Sequence, residues 1–348
     1  MSGALSRETE ARAKVRDWAG LRYRLDLLVN PYGIPDGVHD ALSRDDLLPG
    51  SPSALAEGLR LRLARRVGVS SDWIVLANGI DELHAMIASW RNDHGPIVVF
   101  PPSDTSLERW IRRHADQVES IERGPKFELP ALGKELPIPS GSTAVVMSPN
   151  DPTGTALSVH EAVRLSRQTS LTVIDERHAA YSPRTMMPLV REFENVVVLQ
   201  TFETFAALDG FPLAWAVAPP KMAAEIASRG RPSGIAMSSL IVALSALDHQ
   251  PEISRNVRRV MLEKGRLYRQ MRKLSMISPP YASWSNFLLC RFERGTAEFF
   301  IPELAIRGLY VSEMHDPRLL NHVRISAVSA EATNALKAAL IEIALHLP

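Results

Sequence analysis

The sequence predicts an α/β fold, with a large domain built on a mostly parallel sheet covered by helices and a smaller α/β domain toward the C-terminus. Four short, uninterrupted runs of β-branched and apolar residues are typical of buried strands, at 97–100, 144–147, 171–174 and 196–199. Longer amphipathic segments precede or separate these runs, as at 55–67 and 82–91. Alternation of this kind indicates a parallel sheet with helices on both faces.

The length of 348 residues exceeds that of one small domain and fits a large domain with a satellite. After the fourth strand, the pattern predicts helices over 219–249 and 253–274, strands over 284–292 and 322–326, and a helix over 330–345. We therefore expect residues 1–40 to pack with the small domain, residues 41–250 to form the large domain and residues 251–348 to form the small domain.

Composition excludes several kinds of protein. The chain has 40 basic and 39 acidic residues, so it lacks the basic excess typical of nucleic-acid binding. Its single cysteine, Cys290, cannot form a disulfide framework or a cysteine-rich metal site. No apolar stretch reaches transmembrane length, and residues 1–12 are too polar for a signal peptide. We expect a cytoplasmic protein with no membrane partner and no metal.

Polar segments follow three of the predicted strands, where parallel sheets bind their ligands. The first segment is Ser148-Pro-Asn-Asp-Pro-Thr-Gly154. The second is Asp175-Glu-Arg-His178, with Tyr181 close behind, and the third runs over 200–212. One such turn is weak evidence of function, but three in this order are much stronger.

With these segments, the chain resembles the fold-type-I pyridoxal-phosphate enzymes of the class I and II aminotransferases. Within them it is most similar to histidinol-phosphate aminotransferases and threonine-phosphate decarboxylases. The resemblance covers nearly the whole chain and extends to Asn30-Pro-Tyr-Gly33, Ala77-Asn-Gly-Ile-Asp-Glu-Leu83, Asn286-Phe-Leu-Leu289 and Val323-Arg-Ile-Ser326.

The resemblance implies roles for several groups. An aspartate at the position of Asp175 pairs with the pyridine nitrogen of the cofactor and makes the ring an electron sink. An arginine at the position of Arg324 binds the substrate carboxylate. The backbone that opens a helix at Gly79 faces the phosphate. A lysine forms a Schiff base with the cofactor, and an arginine eight residues later grips the phosphate.

The chain departs from this pattern at the positions that hold the cofactor. Threonine stands at the lysine position, Thr204, and proline at the phosphate arginine, Pro212. Aspartates replace the ring-contacting asparagine, at Asp151, and the stacking aromatic residue, at Asp104, while His178 replaces a tyrosine. None of the seven lysines follows a strand in a cofactor-facing loop. The Schiff-base lysine is therefore expected to be missing.

These replacements predict a pocket shifted by about four charge units toward negative, which would repel a phosphate dianion. No cofactor is expected on this reasoning, and the cofactor-binding groups that remain would be vestigial: Gly79, Asp81, Glu82 and Asp175.

Two sets of residues are candidates for function in such a pocket. Ionisable groups that could supply acid and base are Asp175, His178, Glu203 and Asp151. Groups expected to contact substrate are Arg324, Tyr32, Asn30, Asp104, Thr204 and Tyr181. Alternatives stay open, because His178 could be an ordinary core histidine, Glu203 could only line its loop, and Arg324 could be structural.

Three hypotheses follow. The favoured one is a pyridoxal-phosphate-independent enzyme that catalyses an acid/base step, such as a cyclisation, condensation or elimination, on an amino-acid-derived substrate in a specialised biosynthetic pathway. It is favoured because the pocket has gained ionisable groups, and buried charge without a role is costly. The second is an enzyme that uses pyridoxal phosphate or pyridoxamine phosphate noncovalently. The third is a non-catalytic partner of an active homologue. A homodimer that binds a small molecule is expected for the first two.

Overall fold

The computed structural model describes residues 23–43, 51–91, 95–130, 138–230 and 234–347. These residues form two compact units. The larger unit comprises described residues of 32–258 together with 283–285, and the smaller comprises those of 1–31, 259–282 and 286–348. The boundaries expected from the sequence lay at 40/41 and 250/251, within ten residues of two of these divisions.

The strands lie close to the runs that the sequence marked. In chain order they are β1 Tyr23–Arg24, β2 Ile74–Ala77, β3 Ile97–Val99, β4 Val118–Ser120, β5 Thr143–Met147, β6 Leu171–Asp175, β7 Val196–Thr201, β8 Ala214–Val217, β9 Phe287–Arg291, β10 Leu309–Tyr310, β11 Ser312–Glu313 and β12 His322–Ser326.

The helices follow the amphipathic segments. In chain order they are α1 Asp36–Ala41, α2 Pro52–Val67, α3 Ile80–Arg91, α4 Thr105–His114, α5 Val159–Gln168, α6 Glu203–Ala206, α7 Pro220–Ala227, α8 Met237–Asp248, α9 Gln250–Met271, α10 Ala297–Ile306 and α11 Ala330–Ala344. No helix of the described residues is long and apolar enough to cross a membrane.

The larger unit is built on a seven-stranded sheet with the order β2-β8-β7-β6-β5-β3-β4. Neighbours from β4 to β7 pair in parallel, and β8 is antiparallel to both β7 and β2. In register, Asp175 at the end of β6 lies opposite Met147 of β5 and Leu199 of β7. The carboxyl ends of these three strands therefore meet at one edge of the sheet.

Both faces of this sheet are buried, as the uninterrupted apolar strands predict. Val198 of β7 packs in a cluster with Leu63 of α2 and Leu240 of α8. Its neighbour Leu199 packs in a second cluster with Leu83 of α3. Because side chains alternate along a strand, Asp175 lies on the face of Val173, which belongs to the cluster that contains α3.

The smaller unit contains an antiparallel sheet with the order β11-β12-β9 and a short parallel pair of β1 with β10. Its core includes Leu267 of α9, Phe300 of α10, Leu336 of α11 and Cys290 of β9. The Cys290 thiol is fully buried, and burial raises its pKa to about 12.

One helix prediction was wrong. The sequence predicted a single helical segment over 219–249, whereas the structure has α7 and α8 as separate helices. Gly234 between them has a φ of 70°. That left-handed backbone conformation cannot continue a right-handed helix, and glycine adopts it without a steric penalty.

Candidate active site

Asp175 is the centre of the candidate site, where it ends β6 and is fully buried. His84 of α3 places its Nε2 2.8 Å from Asp175 Oδ2. Arg177 donates to the same oxygen from Nε at 2.9 Å and from Nη2 at 2.6 Å, and its backbone nitrogen donates to Oδ1 at 3.0 Å. Since a carboxylate only accepts hydrogen bonds, His84 carries its proton on Nε2.

The charge of Asp175 is stabilised by these neighbours. Burial alone would raise the pKa of Asp175, because it penalises the charged form. The nearby charge of Arg177 and the hydrogen bonds from His84 and Arg177 outweigh this effect. They hold the pKa well below its ordinary value, so the group is a carboxylate at neutral pH.

Arg177 links this carboxylate to a second one. Its Nη1 donates to Asp104 Oδ2 at 2.9 Å. Asp104 also caps α4, because Oδ1 accepts from the backbone nitrogen of Ser106 at 2.8 Å. Burial opposes ionisation of Asp104, but Arg177 and Ser106 lower its pKa overall. The result is a buried row of charges, Asp104–Arg177–Asp175.

This row corrects the charge balance expected from the sequence. The expected charge balance included two added aspartates, a missing lysine and a missing arginine, but it omitted the positive charge of Arg177. The guanidinium forms ion pairs with Asp104, one of the added carboxylates, and with Asp175. The site is therefore less negative than the replacements alone suggested.

Glu203 begins α6 beside the start of α3. Its Oε1 is buried and accepts no hydrogen bond from the described residues. A Cβ placed on Gly79 would lie 3.2 Å from this oxygen and 3.3 Å from Pro212 Cβ. Burial raises the pKa of Glu203, while Thr201 and Arg177 partly oppose the shift. The side chain thus sits against the turn that opens α3, and its carboxyl group retains a proton to higher pH than usual.

Thr204 joins the loop after β7 to the loop after β6. Its Oγ1 donates to the carbonyl oxygen of Arg177 at 2.8 Å. Tyr181 donates from its hydroxyl to the carbonyl oxygen of Thr204 at 3.2 Å. Burial raises the pKa of Tyr181, so the phenol stays neutral. Thr204 therefore helps to position the backbone that carries Arg177.

The described lysines of the larger unit are not buried in this site. Lys126 and Lys221 are both exposed, and Lys221 stands in the first turn of α7. Lys14 and Lys134 fall outside the described residues. The assignment of Thr204 to the lysine position rests on the resemblance and stays a prediction.

The other candidates in the larger unit lie in the loops after β5 and β6, at the start of α3 and at Tyr32. Asp151 is buried, and its backbone nitrogen lies 3.2 Å from Met147 Sδ. His178 is 1% exposed and follows Arg177 in the loop, while Tyr32 is half-buried. Glu82 Oε2 accepts from the backbone nitrogen of Asn78 at 2.6 Å, which ties the carboxylate to the start of α3. Asp81 stands beside it in the first turn.

The remaining two candidates belong to the smaller unit. Arg324 in β12 donates from Nη2 to the carbonyl oxygen of Asp26 at 2.9 Å and to Ser312 Oγ at 2.8 Å. Its role in binding a substrate carboxylate stays a prediction. Asn30 is buried at 3% exposure.

Sequence reasoning missed His84 and Arg177. Arg177 was part of the quoted motif, and its spacing of two residues from Asp175 placed it on the same face. His84 interrupts the apolar stripe formed by Ile80, Leu83 and Ile87 on α3. A polar residue on a buried face must find a partner, and this requirement was the available signal.

Comparison with known proteins identifies what this arrangement resembles. The profile of the family described as aminotransferase class I and II matches residues 38–340. A histidinol-phosphate aminotransferase of Dehalococcoides mccartyi is 26% identical over 321 residues, covering 92% of this chain and 89% of that protein.

Solved structures share the fold. The histidinol-phosphate aminotransferase of Sinorhizobium meliloti in complex with pyridoxal-5'-phosphate superposes with a TM-score of 0.83 at 20% identity, covering 97% of this chain and 95% of that one. The L-threonine-O-3-phosphate decarboxylase of Porphyromonas gingivalis has a TM-score of 0.81 at 19% identity, covering 92% and 99%. The predicted fold class is confirmed.

The expectation of no cofactor is corrected by these comparisons. The D. mccartyi relative is an aminotransferase, and the S. meliloti structure holds pyridoxal phosphate. They point to that cofactor rather than to its absence. The residues present fit it in part, since Asp175 is an oriented carboxylate held in the charged form, as pairing with a protonated ring nitrogen requires. Thr204 has no amine for covalent attachment, and Pro212 has no donor for the phosphate.

Proposed function

This chain belongs to the class I and II aminotransferase family, and on that premise we propose that it acts on an amino-acid-derived substrate with pyridoxal phosphate, or its pyridoxamine form, held noncovalently. The observation that carries this proposal is Asp175, a fully buried carboxylate whose pKa is held low and whose oxygens His84 and Arg177 orient. Such a group suits a protonated ring nitrogen. Thr204 supports noncovalent binding, because a hydroxyl cannot take the place of an amine.

The residues of this chain would divide the task as follows. Asp175 would bind the pyridine nitrogen, and the amide groups at the turn of Gly79 would face the phosphate. When bound, the cofactor supplies an electron sink for bonds at the substrate's α-carbon. Arg324 in the smaller unit would bind the substrate carboxylate through its guanidinium.

Proton transfer is the step that lysine performs in the family and that another group must perform here. Glu203 is our candidate, because burial raises its pKa toward the range in which a carboxyl group can give and take a proton. Its Oε1, which accepts no hydrogen bond from the described residues, would hold that proton. Asp151 and His178 remain candidates of second rank. A single acid/base step, such as an elimination, condensation or cyclisation, fits this set better than a full transamination.

The test is a titration with pyridoxal phosphate, followed by absorbance above the protein band, borohydride treatment and mass measurement. We expect a saturable absorbance change and no added mass on the denatured chain. The variant Thr204→Lys is the matched control, since a lysine there should gain the mass of one reduced cofactor. Addition of mass to a lysine of the unaltered chain would contradict noncovalent binding. No absorbance change at any concentration would contradict the proposal as a whole.

Three further expectations accompany this proposal. The carboxylate-bearing substrate, the homodimer and the cytoplasmic location all stay predictions. A substrate carboxylate can be checked by Arg324→Met, which should raise KM for the substrate more than it lowers kcat.

A further inference from the structure

The guanidinium of Arg177 lies where Asp175 would receive the pyridine ring. We propose that the Arg177 side chain is an internal ligand of the cofactor site, which the ring must displace before it reaches Asp175. This inference rests on the proposed function, because it concerns how the same site is opened.

The first support is that Asp175 has little acceptor capacity left. Its Oδ2 accepts from His84 and twice from Arg177, and its Oδ1 accepts from the Arg177 backbone. A carboxylate has about four acceptor positions in all. A ring nitrogen can therefore bind Oδ2 only by replacing a present donor, and the Arg177 side chain supplies two of the three bonds to that oxygen.

The second support is the position and shape of the side chain. From Asp175 the planar guanidinium extends to Asp104, the residue that caps α4 after β3. Asp104 stands at the position predicted for the aromatic residue that stacks on the ring. The Arg177 guanidinium thus lies between Asp175, which would contact the ring nitrogen of the cofactor, and Asp104, which would lie against the face of that ring.

The third support is that the exchange conserves charge. A protonated pyridine nitrogen would replace one cationic partner of Asp175 with another, so the buried carboxylate stays paired. A small part of each side chain is accessible to solvent, 9% for Arg177 and 17% for Asp104.

Displacement should lower the apparent affinity of the chain for the ring. When only a fraction of molecules is competent to bind, the apparent dissociation constant rises in inverse proportion to that fraction. Removal of the competing side chain should therefore tighten binding without adding any contact.

The experiment titrates pyridoxal phosphate and, separately, pyridoxal into the unaltered chain, Arg177→Met, Asp104→Asn and Arg184→Met. Pyridoxal lacks the phosphate, so its affinity reports on the ring subsite rather than on repulsion of a dianion. We expect Arg177→Met to tighten binding of both compounds by about tenfold or more. Asp104→Asn, which loosens Arg177 and leaves Asp175 intact, should tighten both by a smaller factor.

Arg184→Met is the matched control. Arg184 is an exposed arginine of the same unit that lies 4.3 Å from the ring of Trp284, and its loss should leave both affinities unchanged. If Arg177→Met proves unfolded by circular dichroism, Asp104→Asn decides the question, and tighter pyridoxal binding supports the proposal.

The outcomes separate this proposal from the proposed function. Equal or weaker binding of pyridoxal to the folded Arg177 and Asp104 variants, with binding by the unaltered chain intact, overturns the internal ligand and leaves the function standing. Absence of binding in the unaltered chain and in every variant overturns both.

Discussion

Asp175 and Glu176 are adjacent in the chain and nearly equally buried, but the pKa of Asp175 is lowered and the pKa of Glu176 is raised. Asp175 is 0% exposed and Glu176 is 2% exposed, on opposite faces of the central sheet. On the α3 face, Asp175 meets the cation Arg177 and the ring of His84. On the other face, every hydrogen bond described for Glu176 comes from a neutral donor.

The donors to Glu176 are the backbone nitrogen of Met186, Thr185 Oγ1 at 2.7 Å and Gln200 Nε2 at 2.9 Å. Burial raises the pKa of Glu176 and these three hydrogen bonds do not offset it, whereas Arg177 lowers that of Asp175. Burial alone therefore does not determine the charge of a carboxyl group in this fold. A cation in direct contact decides it.

The largest expected effect separates the two positions by amide substitution. Asp175→Asn removes a charge that Arg177 needs, and breaking a buried ion pair in this way costs about 3 to 5 kcal/mol. Glu176→Gln leaves no cation unpaired and should cost about 1 to 2 kcal/mol, because one oxygen that accepts a hydrogen bond is replaced by an amide group. Urea unfolding at pH 7.5 measures both. Equal losses of unfolding free energy would refute the contrast.

The second prediction concerns the pH dependence of those losses. The folded-state pKa of Asp175 is depressed, so its stabilisation is present above the unfolded value of about 3.9 and is lost as pH falls below it. The folded-state pKa of Glu176 is raised, so its contribution is complete below about 4.3 and declines as pH rises through the folded value.

The cost of Asp175→Asn should therefore shrink as the pH is lowered below about 4, and the cost of Glu176→Gln should shrink as the pH is raised above about 4. Urea unfolding of both variants and the unaltered chain across this range gives, for each variant, the slope of its loss of unfolding free energy against pH. Slopes of the same sign would show that the two carboxyl groups titrate alike.

Glu203 extends the comparison to a half-buried carboxyl group that also interacts with Arg177. Its raised folded-state pKa means that stability is lost as pH rises through that value. Glu203→Gln does not undergo this loss, so we expect a Tm roughly 2 °C above that of the unaltered chain at pH 7.5 and no gain at pH 4. A lower Tm at pH 7.5 would indicate that the carboxylate is paired after all.

The smallest expected effect tests how the loop that carries Arg177 is held. Thr204→Val removes the hydroxyl that donates to the Arg177 carbonyl, at a cost of about 1 kcal/mol. Thr204→Ser keeps the hydroxyl and should recover most of that loss. Thermal unfolding of the two variants provides the measurement, and identical Tm values would remove Thr204 from the positioning role.

The fold could be predicted because its signals are local and repeated. The run at 196–199 lies inside β7, and the pattern at 322–326 coincides with β12. Packing of both sheet faces requires uninterrupted apolar strands, so their composition alone marked them. The break between α7 and α8 escaped notice because apolar periodicity persists on both sides of Gly234.

The site could be predicted in its location but not in its contacts. The segments that follow β3 and β6 bring Asp104 and Asp175 into contact with the same Arg177 side chain. The partners of Asp175 depend on which side chains reach it across the fold. His84 lies 91 residues earlier in the chain, and no local pattern encodes that meeting. The omission of Arg177 shows that counting replaced residues gives a charge balance only when every nearby cation is included.

The lone thiol of the chain offers a use that has nothing to do with catalysis. Cys290 lies fully buried in β9 of the smaller unit, and its high pKa leaves almost no thiolate at neutral pH. A disulfide reagent can modify it only after that strand becomes exposed to solvent. The labelling rate in native buffer therefore measures how often the smaller unit opens. No engineered probe is needed, and the larger unit contributes no signal because the chain has a single cysteine.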